Sequence, residues 1–266
     1  MQKFFILNRS KIFWAICDSW ELTKRSSKHI IKSMDQLLSA ILMPIMFLLL
    51  FRYVFGGAIN VGTDIDYVNF LIAGILVQTL AFGASTTTYN LALDLQRGIV
   101  DRFRSLPIFS PALLIGHVIA DLVRNILTSV IMLGVSFLVG FQPNASLLEW
   151  LYVFGLLMLF SFAFSWVSAI MGLLVKSLEA SQWVIFIVTM PLTFASSAFV
   201  PTTNMPSGLK AFAENQPLTH LIEAIRAYFV GTEVNDSAIK AIIWYVAITV
   251  VSIPIATLLF RRYKRI

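Results

Sequence analysis

Charged residues, cysteine and histidine are scarce in this sequence of 266 residues. Asp, Glu, Lys and Arg make up 13% of the chain, against about 25% in an average soluble domain. A single cysteine, Cys17, excludes an internal disulfide framework, and His29, His117 and His220 are too scattered for a metal-ligand pattern. Redox and metal chemistry are therefore not expected in this chain.

Nucleotide-binding signatures are also missing. No GxxxxGK[ST] motif occurs in the sequence, so the chain is not expected to form a Walker-type ATP site of its own. The net charge of +6 does not indicate nucleic-acid binding, because the Lys and Arg residues lie in short blocks beside apolar runs. That distribution is typical of membrane topology signals.

Hydrophobic residues, by contrast, make up 58% of the chain and include 22 phenylalanines. This composition predicts an all-α integral membrane protein with a single domain and no internal repeat. A membrane-spanning helix needs about 20 apolar residues. Six segments qualify, namely 37–55, 67–93, 113–141, 147–175, 183–200 and 238–260, so residues 37–260 are expected to form a six-span bundle with a short tail, 261–266.

The first 36 residues are too charged for a secretory signal peptide. Between residues 13 and 31, Trp14 and Trp20 occur together with basic residues such as Lys24 and Arg25, a composition that favours a helix lying in the membrane interface. A disordered basic tail is the alternative.

Orientation follows from the cations. The loops 56–66 and 142–146 contain no Lys or Arg, whereas basic residues lie before the first span, between spans two and three and after the last span. By the positive-inside rule, both termini and the segment 94–111 are expected on the cytoplasmic side.

Two segments depart from the simple pattern of spans. The third span, counted from residue 111 to 141, is longer than a bilayer requires and carries Asp121 and Arg124, which can pair on one helix face; a proton relay is the alternative. The segment 201–236 is too short and too charged to cross, and its apolar spacing predicts a re-entrant helical hairpin on the outer face, where Glu223 and Arg226 can satisfy each other.

A charged amphipathic stretch, 97–106, lies between spans two and three. Its apolar residues share one helical face, and Pro107 ends the helix. The alternative is a solvated loop whose arginines only set topology.

The run "LDLQRGIVDRFRSLPIFSPALLIGHVIADLVRN" (93–125) resembles the signature region of ABC transporter type-2 permeases, most of all the daunorubicin/doxorubicin-resistance branch of drug exporters. A second run, 190–226, is similar to the family's pattern before the outer hairpin, with departures at Ser197 and Gln216. The two runs cover about a quarter of the chain, in the order that the six-span interpretation requires.

The resemblance implies that the charged stretch is a cytoplasmic coupling helix seated in a separate ATPase subunit. ATP and Mg²⁺ would bind to that partner, and this chain would be a permease subunit with no catalytic residues and no cofactor. Two ATPase copies and a homodimer with twelve spans are expected. The coupling residues would be Arg97, Asp101, Arg102, Phe103, Arg104 and Leu106.

Hydroxyl, amide and aromatic side chains in spans two and five are candidates for a substrate pathway. They are Gln78, Ser85, Thr86, Asn90, Thr193, Phe194, Ser197 and Phe199. Aromatic faces with hydroxyls beside them suit an amphipathic cargo. The alternative is that these polar groups hold the helices together.

The leading hypothesis is therefore a permease for multidrug export across the bacterial cytoplasmic membrane, with a role in antibiotic resistance. Export of a lipid-linked polysaccharide or a teichoic-acid-type polymer is an alternative. An ion-coupled secondary transporter would need inverted repeats, which are not recognisable in the sequence. An intramembrane hydrolase using Ser85 would need a nearby histidine and the motif GxSxG, which does not surround Ser85.

Overall fold

The computed structural model describes residues 34–57, 66–100 and 112–262, and the regular elements within these ranges are helices. Nine α-helices follow one another along the described residues: α1 (Met34–Leu49), α2 (Tyr67–Gly83), α3 (Ser85–Gln96), α4 (Ala112–Leu138), α5 (Leu147–Leu174), α6 (Leu178–Phe194), α7 (Ser207–Asn215), α8 (Pro217–Val230) and α9 (Ser237–Arg262). A π-helical segment, Leu50–Phe55, extends α1, and a 3-10 turn, Thr202–Asn204, precedes α7.

Four helical stretches are long and apolar enough to cross a membrane: Tyr67–Gln96, Ala112–Leu138, Leu147–Leu174 and Ser237–Arg262. The first of these is α2 and α3 together. Two shorter apolar helices, Ile41–Phe55 and Leu178–Phe194, coincide with the first and fifth predicted spans. The chain is therefore a helical, multi-pass membrane protein, whereas the count of six crossings stays a prediction.

Local hydrogen bonds set several helix ends. The Ser146 hydroxyl accepts from Glu149 N and the Glu149 carboxylate accepts from Ser146 N, which together begin α5. The Ser177 hydroxyl accepts from Ala180 N at 3.1 Å, so α6 begins at Leu178, five residues before the predicted start of span five.

The third span is shorter than the sequence suggested. Helix α4 ends at Leu138, because Phe141 N turns back to Ser136 O at 3.0 Å and Gly140 adopts a left-handed conformation with φ of +102°. Its 27 residues extend about 40 Å, which still exceeds the hydrocarbon thickness of about 30 Å.

The apolar interior forms two clusters at opposite ends of the long helices. The larger cluster gathers α2 along its whole length, the end of α4, the first half of α5, the start of α9, and α8, through residues such as Tyr67, Phe141 and Tyr245. The smaller cluster gathers the end of α3, the start of α4 and the ends of α5 and α9, around Leu95 and Phe260. Helix α4 therefore runs antiparallel to the stretch α2–α3 and to α5, whereas α9 runs parallel to α5. Helix α3 ends and α4 begins at the end of the molecule that holds the smaller cluster.

Candidate functional site

The central element of the bundle is the stretch Tyr67–Gln96. In the most apolar 18 residues of this stretch, 83% of the residues are buried inside the protein, whereas in the most apolar 18 residues of α9 only 17% are buried. Helices α1, α4, α5, α6 and α8 all pack against α2 or α3. This central helix is therefore the element around which the candidate transport site is built.

The central helix is interrupted at Ala84, where α2 gives way to α3. At this point Arg124 of α4 donates from Nη2 to the Gly83 carbonyl and to the Asp121 carboxylate. Asp121 also accepts a hydrogen bond from Ser165 of α5. Asp121 and Arg124 are 1% and 3% exposed, so the predicted ion pair is present and is enclosed by three helices.

A second polar contact joins the two helices that flank segment 97–111. Nε2 of His117, in the second turn of α4, lies 3.1 Å from Oδ2 of Asp94, in the last turn of α3, and both side chains are largely buried. This contact fixes the ends of α3 and α4 to each other. Val100 is also buried in the smaller apolar cluster.

Short helices α7 and α8 occupy the segment for which a hairpin was predicted, and side chains fasten them to the bundle. Gln216, between the two helices, donates from Nε2 to Leu192 O at 3.1 Å and to Ala195 O at the end of α6. Arg226 of α8 donates from Nε to Phe70 O at 3.0 Å and from Nη2 to Ser197 O. Arg226 thus holds α2 and the turn after α6 together.

The predicted pairing of Glu223 with Arg226 is not a direct ion pair in the structure, because the Arg226 guanidinium hydrogen-bonds to the two carbonyls instead. Burial lowers the pKa of Arg226, and the nearby Glu223 carboxylate opposes that shift. Glu223 therefore acts on Arg226 through the electrostatic field.

An aromatic cluster connects α1 to the turn after α6. Phe51 stacks on Phe199 with ring centroids 4.4 Å apart, Phe194 lies 4.9 Å from Phe199, and Phe47 contacts both Phe194 and Phe199. Phe199 is buried, whereas Phe194 is 47% exposed. Two of the predicted pathway residues, Phe194 and Phe199, are therefore adjacent.

The other predicted pathway residues are distributed along α2, α3 and α6. Thr193 donates to Thr189 O within its own helix at 2.7 Å. The amide group of Gln78 and the hydroxyl of Ser197 are buried and have no hydrogen-bond partner among the described residues. Ser85, Thr86 and Asn90 are half-buried on α3.

Most of the predicted coupling residues, namely Asp101, Arg102, Phe103, Arg104 and Leu106, lie outside the described residues, as do the segment 1–33 and the final four residues of the chain. Arg97 is exposed directly after α3. The coupling helix and the interfacial helix therefore stay predictions.

Sequence reasoning missed several of the contacts above. No sequence motif indicates the Asp94–His117 contact or the role of the Gly83 carbonyl as an acceptor. Each contact joins two helices, and the relative rotation of these helices is set by packing. Glycine within an apolar run was an available signal. A Cβ at Gly74 would lie 2.4 Å from Ala198 O, and a Cβ at Gly83 would lie 2.8 Å from Asn125 Oδ1, so both mark close helix contacts.

Comparison with known proteins gives a consistent result. Residues 19–230 match the ABC-2 type transporter family. The daunorubicin resistance ABC transporter permease protein DrrB1 of Streptomyces coeruleorubidus is 33% identical over 197 residues, which cover 74% of this chain and 69% of that protein. The probable doxorubicin resistance ABC transporter permease protein DrrC of Mycobacterium tuberculosis (strain CDC 1551 / Oshkosh) is 26% identical over 227 residues, 82% of this chain and 79% of the relative. The putative transport permease ycf38 of Cyanophora paradoxa is 30% identical over 223 residues, 80% of this chain and 74% of the relative.

Proposed function

This chain belongs to the ABC-2 type transporter family, and we propose that it is the membrane-spanning permease subunit of an ATP-driven exporter of amphipathic, drug-like molecules. The match with the family over residues 19–230 carries the proposal. Two copies of this chain, with six spans each, would assemble with two ATPase subunits that bind ATP and Mg²⁺.

The connection between α3 and α4 supports a route by which motion of the ATPase could reach the membrane-spanning helices. Because α3 ends at Gln96 and α4 begins at Ala112, a push on segment 97–111 acts on both helices. The Asp94–His117 contact fastens these helix ends to each other. The segment is therefore well placed to pass motion from an ATPase to the central helix.

Coupling is tested by Phe103→Ala, with Arg104→Ala as its partner variant. If Phe103 fills an apolar hollow on the ATPase, its truncation should weaken association by about 2 kcal/mol or more, about 30-fold, whereas Arg104 at the rim mainly affects association rate and salt sensitivity. Co-purification of the ATPase and cargo-stimulated ATP hydrolysis in proteoliposomes are the measurements. If Phe103→Ala recovers the ATPase normally and shows normal cargo-stimulated ATP hydrolysis, segment 97–106 is a solvated loop and not a coupling helix.

The orientation proposed has both termini and segment 97–107 on the cytoplasmic side, and the hairpin α7–α8 on the outer side. Single cysteines at positions 62 and 204, introduced in a Cys17→Ser background, should react with an impermeant reagent from outside the cell. Labelling only from the cytoplasmic side would reverse the topology.

The aromatic cluster supports a cargo with apolar surface, because Phe194 presents an exposed ring that packs on the buried ring of Phe199. Phe194→Ala should change the order in which a panel of amphipathic compounds is exported, with ATPase assembly intact. Phe137→Ala is a matched control, since Phe137 is 50% exposed on α4. If both variants export every compound as wild type does, Phe194 only packs against lipid or protein.

A further inference from the structure

The interruption of the central helix at Ala84, here called the Gly83 break, changes which backbone groups are paired. In an uninterrupted helix, Thr87 N would donate to Gly83 O, four residues earlier. In this structure Thr87 N donates to Ala84 O at 3.1 Å instead, and Thr88 N donates to the same oxygen at 3.4 Å. The Gly83 carbonyl therefore needs a partner from outside its own helix.

Arg124 supplies that partner. Its Nη2 donates to Gly83 O while the same guanidinium pairs with Asp121 one turn earlier on α4. Neither residue of the pair is exposed to more than a few per cent, and a buried carbonyl without a hydrogen bond is unfavourable. The ion pair thus stabilises the broken form of the helix over an intact one.

The same network also holds the residue that follows the break. Thr87, on the α3 side, interacts electrostatically with Asp121, which is hydrogen-bonded to Arg124 and to Ser165 of α5. Asn125, next to Arg124, donates to Ser161 of α5. Both sides of the break are therefore bound to one carboxylate–guanidinium pair, and that pair is bound to α5.

We propose that Asp121 and Arg124 are positioning residues that lock the arrangement of α2 relative to α3 at the Gly83 break. Arg226 binds α2 through Phe70 O, and the Asp94–His117 contact binds α3 to α4. Each half of the central helix thus has a polar anchor of its own, and the break between them forms a joint that the buried ion pair holds.

A role of this joint in transport rests on the proposed permease function. The existence of the joint does not depend on that function. Arg124 Nε and Nη1 are buried and have no acceptor among the described residues. The guanidinium therefore has spare donors with which to change its carbonyl partner without leaving Asp121, as a joint with two settings requires.

The joint is tested by the distance between spin labels at positions 66 and 96, which flank α2 and α3, in the purified permease carrying Cys17→Ser. Wild type should give a narrow distribution. The double variant Asp121→Asn/Arg124→Gln leaves no unpaired charge, and it should broaden the distribution and add a population near about 45 Å, the length of an uninterrupted helix of 30 residues.

Gly83→Ala provides an independent test that leaves the ion pair in the sequence. The added Cβ would lie 2.8 Å from Asn125 Oδ1 and 3.1 Å from Arg124 Nη2, so it should displace Arg124 from the carbonyl. Gly134→Ala is the matched control, because a Cβ at this position on α4 meets no atom within 4 Å. Gly83→Ala should broaden the distribution and Gly134→Ala should not.

A charge swap separates positioning from simple pairing. Asp121→Arg/Arg124→Asp keeps an ion pair but moves the guanidinium one turn away from Gly83, so it should fail to restore the narrow distribution. The proposed joint would be contradicted if the double variant and Gly83→Ala both gave the wild-type distance distribution. It would also be contradicted if the charge swap fully restored the narrow distribution.

In proteoliposomes with the ATPase, Gly83→Ala should retain complex assembly but lose the link between ATP hydrolysis and export. Normal export by a variant with a broadened distribution would overturn its role in transport. A wild-type permease that neither binds nor stimulates an ATPase would instead overturn the proposed function, leaving the distance result to decide the joint.

Discussion

Helices α4 and α8 carry the same short pattern, an acidic residue followed three positions later by arginine, and the fold uses the two pairs differently. In α4, Arg124 pairs directly with Asp121. In α8, Arg226 donates to Phe70 O and Ser197 O, and its guanidinium carbon lies 3.5 Å from the centre of the Phe70 ring. Spacing brings the charges near each other, but the backbone acceptors within reach decide which bonds form.

Burial explains the difference. Asp121 is enclosed by helices, and a carboxylate in such a place requires a cation and hydrogen-bond donors. Glu223 is half-buried and borders a cavity of about 210 Å³ between α8 and the loop before α9, so it does not require a direct partner. Arg226 is then free to bind backbone carbonyls. The enclosed arginine keeps its carboxylate partner while it also binds Gly83 O, whereas the outer arginine binds the two carbonyls without a direct carboxylate partner.

The largest effect is expected from separating the enclosed pair. Arg124→Leu should reduce the free energy of unfolding by about 3–5 kcal/mol, because Asp121 would be left buried without its cation. The apolar double variant Asp121→Leu/Arg124→Leu should recover most of that loss, since no charge remains to be desolvated. The thermal unfolding midpoint in detergent measures both. Equal instability of the single and double variants would contradict the enclosed-pair explanation.

At the outer pair, Arg226→Gln should reduce stability by about 1.5–3 kcal/mol, the range for a hydrogen bond to a charged group. Arg226→Lys should not restore it, because a compact ammonium lacks the planar fork of donors and the flat face with which the guanidinium binds both carbonyls and lies over Phe70. Hydrogen exchange of the α8 amides is the direct readout. Unchanged protection of residues 217–230 in Arg226→Gln would mean that Arg226 does not fasten the hairpin.

The apolar runs of the sequence predict the long helices well, because length and hydropathy are properties of each segment alone. The Gly83 break could not be predicted in this way. The sequence turns polar at the break, from Ser85 to Thr88, but such residues also occur inside continuous helices, and the stabilising donor, Arg124, lies on another helix 41 positions away. The same holds for Arg226, whose acceptor Phe70 is 156 positions away.

The substrate pathway shows an intermediate case. Composition identified spans two and five as polar and aromatic, and the structure brings Phe194 and Phe199 together. It also gives Gln216, a departure from the family pattern, a structural role in binding the end of α6. The Thr193 hydroxyl donates a hydrogen bond to a carbonyl of its own helix. Composition alone cannot distinguish such a hydroxyl from one that contacts cargo.

A smaller effect on the outer pair is expected from Gly74→Ala. Gly74 lies one turn after Phe70, and an added Cβ would be 2.4 Å from Ala198 O, a backbone atom that must shift. Moving α2 away from residue 198 should stretch the bridge that Arg226 makes, at about 1–3 kcal/mol. Gly155→Ala, whose Cβ would meet no atom within 4 Å, is the control. Adding Arg226→Gln to Gly74→Ala should therefore cost less than the same substitution costs in wild type, whereas full additivity of the two losses would mean that the two contacts are independent.

The smallest effect on the free energy of unfolding is expected from Glu223→Gln. Its sign should be opposite to the effect of breaking the enclosed pair, because the loss of this carboxylate should not destabilise the protein. Burial raises the pKa of Glu223, and Glu214 adds to the shift, while Arg226 and Lys240 oppose it. The folded protein therefore holds this proton more tightly than the unfolded chain does. The resulting stability is complete below the unfolded pKa of about 4.3 and is lost as pH rises through the higher folded pKa.

Glutamine cannot titrate, so Glu223→Gln should be at least as stable as wild type at pH 8, by less than about 1 kcal/mol, and its advantage should shrink as pH falls toward 4. In an Arg226→Gln background the opposing charge is absent, so the same comparison should depend on pH more steeply. Unfolding midpoints of the four proteins between pH 4 and 8 provide the measurement. If Glu223→Gln at pH 8 destabilised the protein as much as Arg226→Gln does, Glu223 would be a direct partner of Arg226, and the two acidic–arginine pairs would work in the same way.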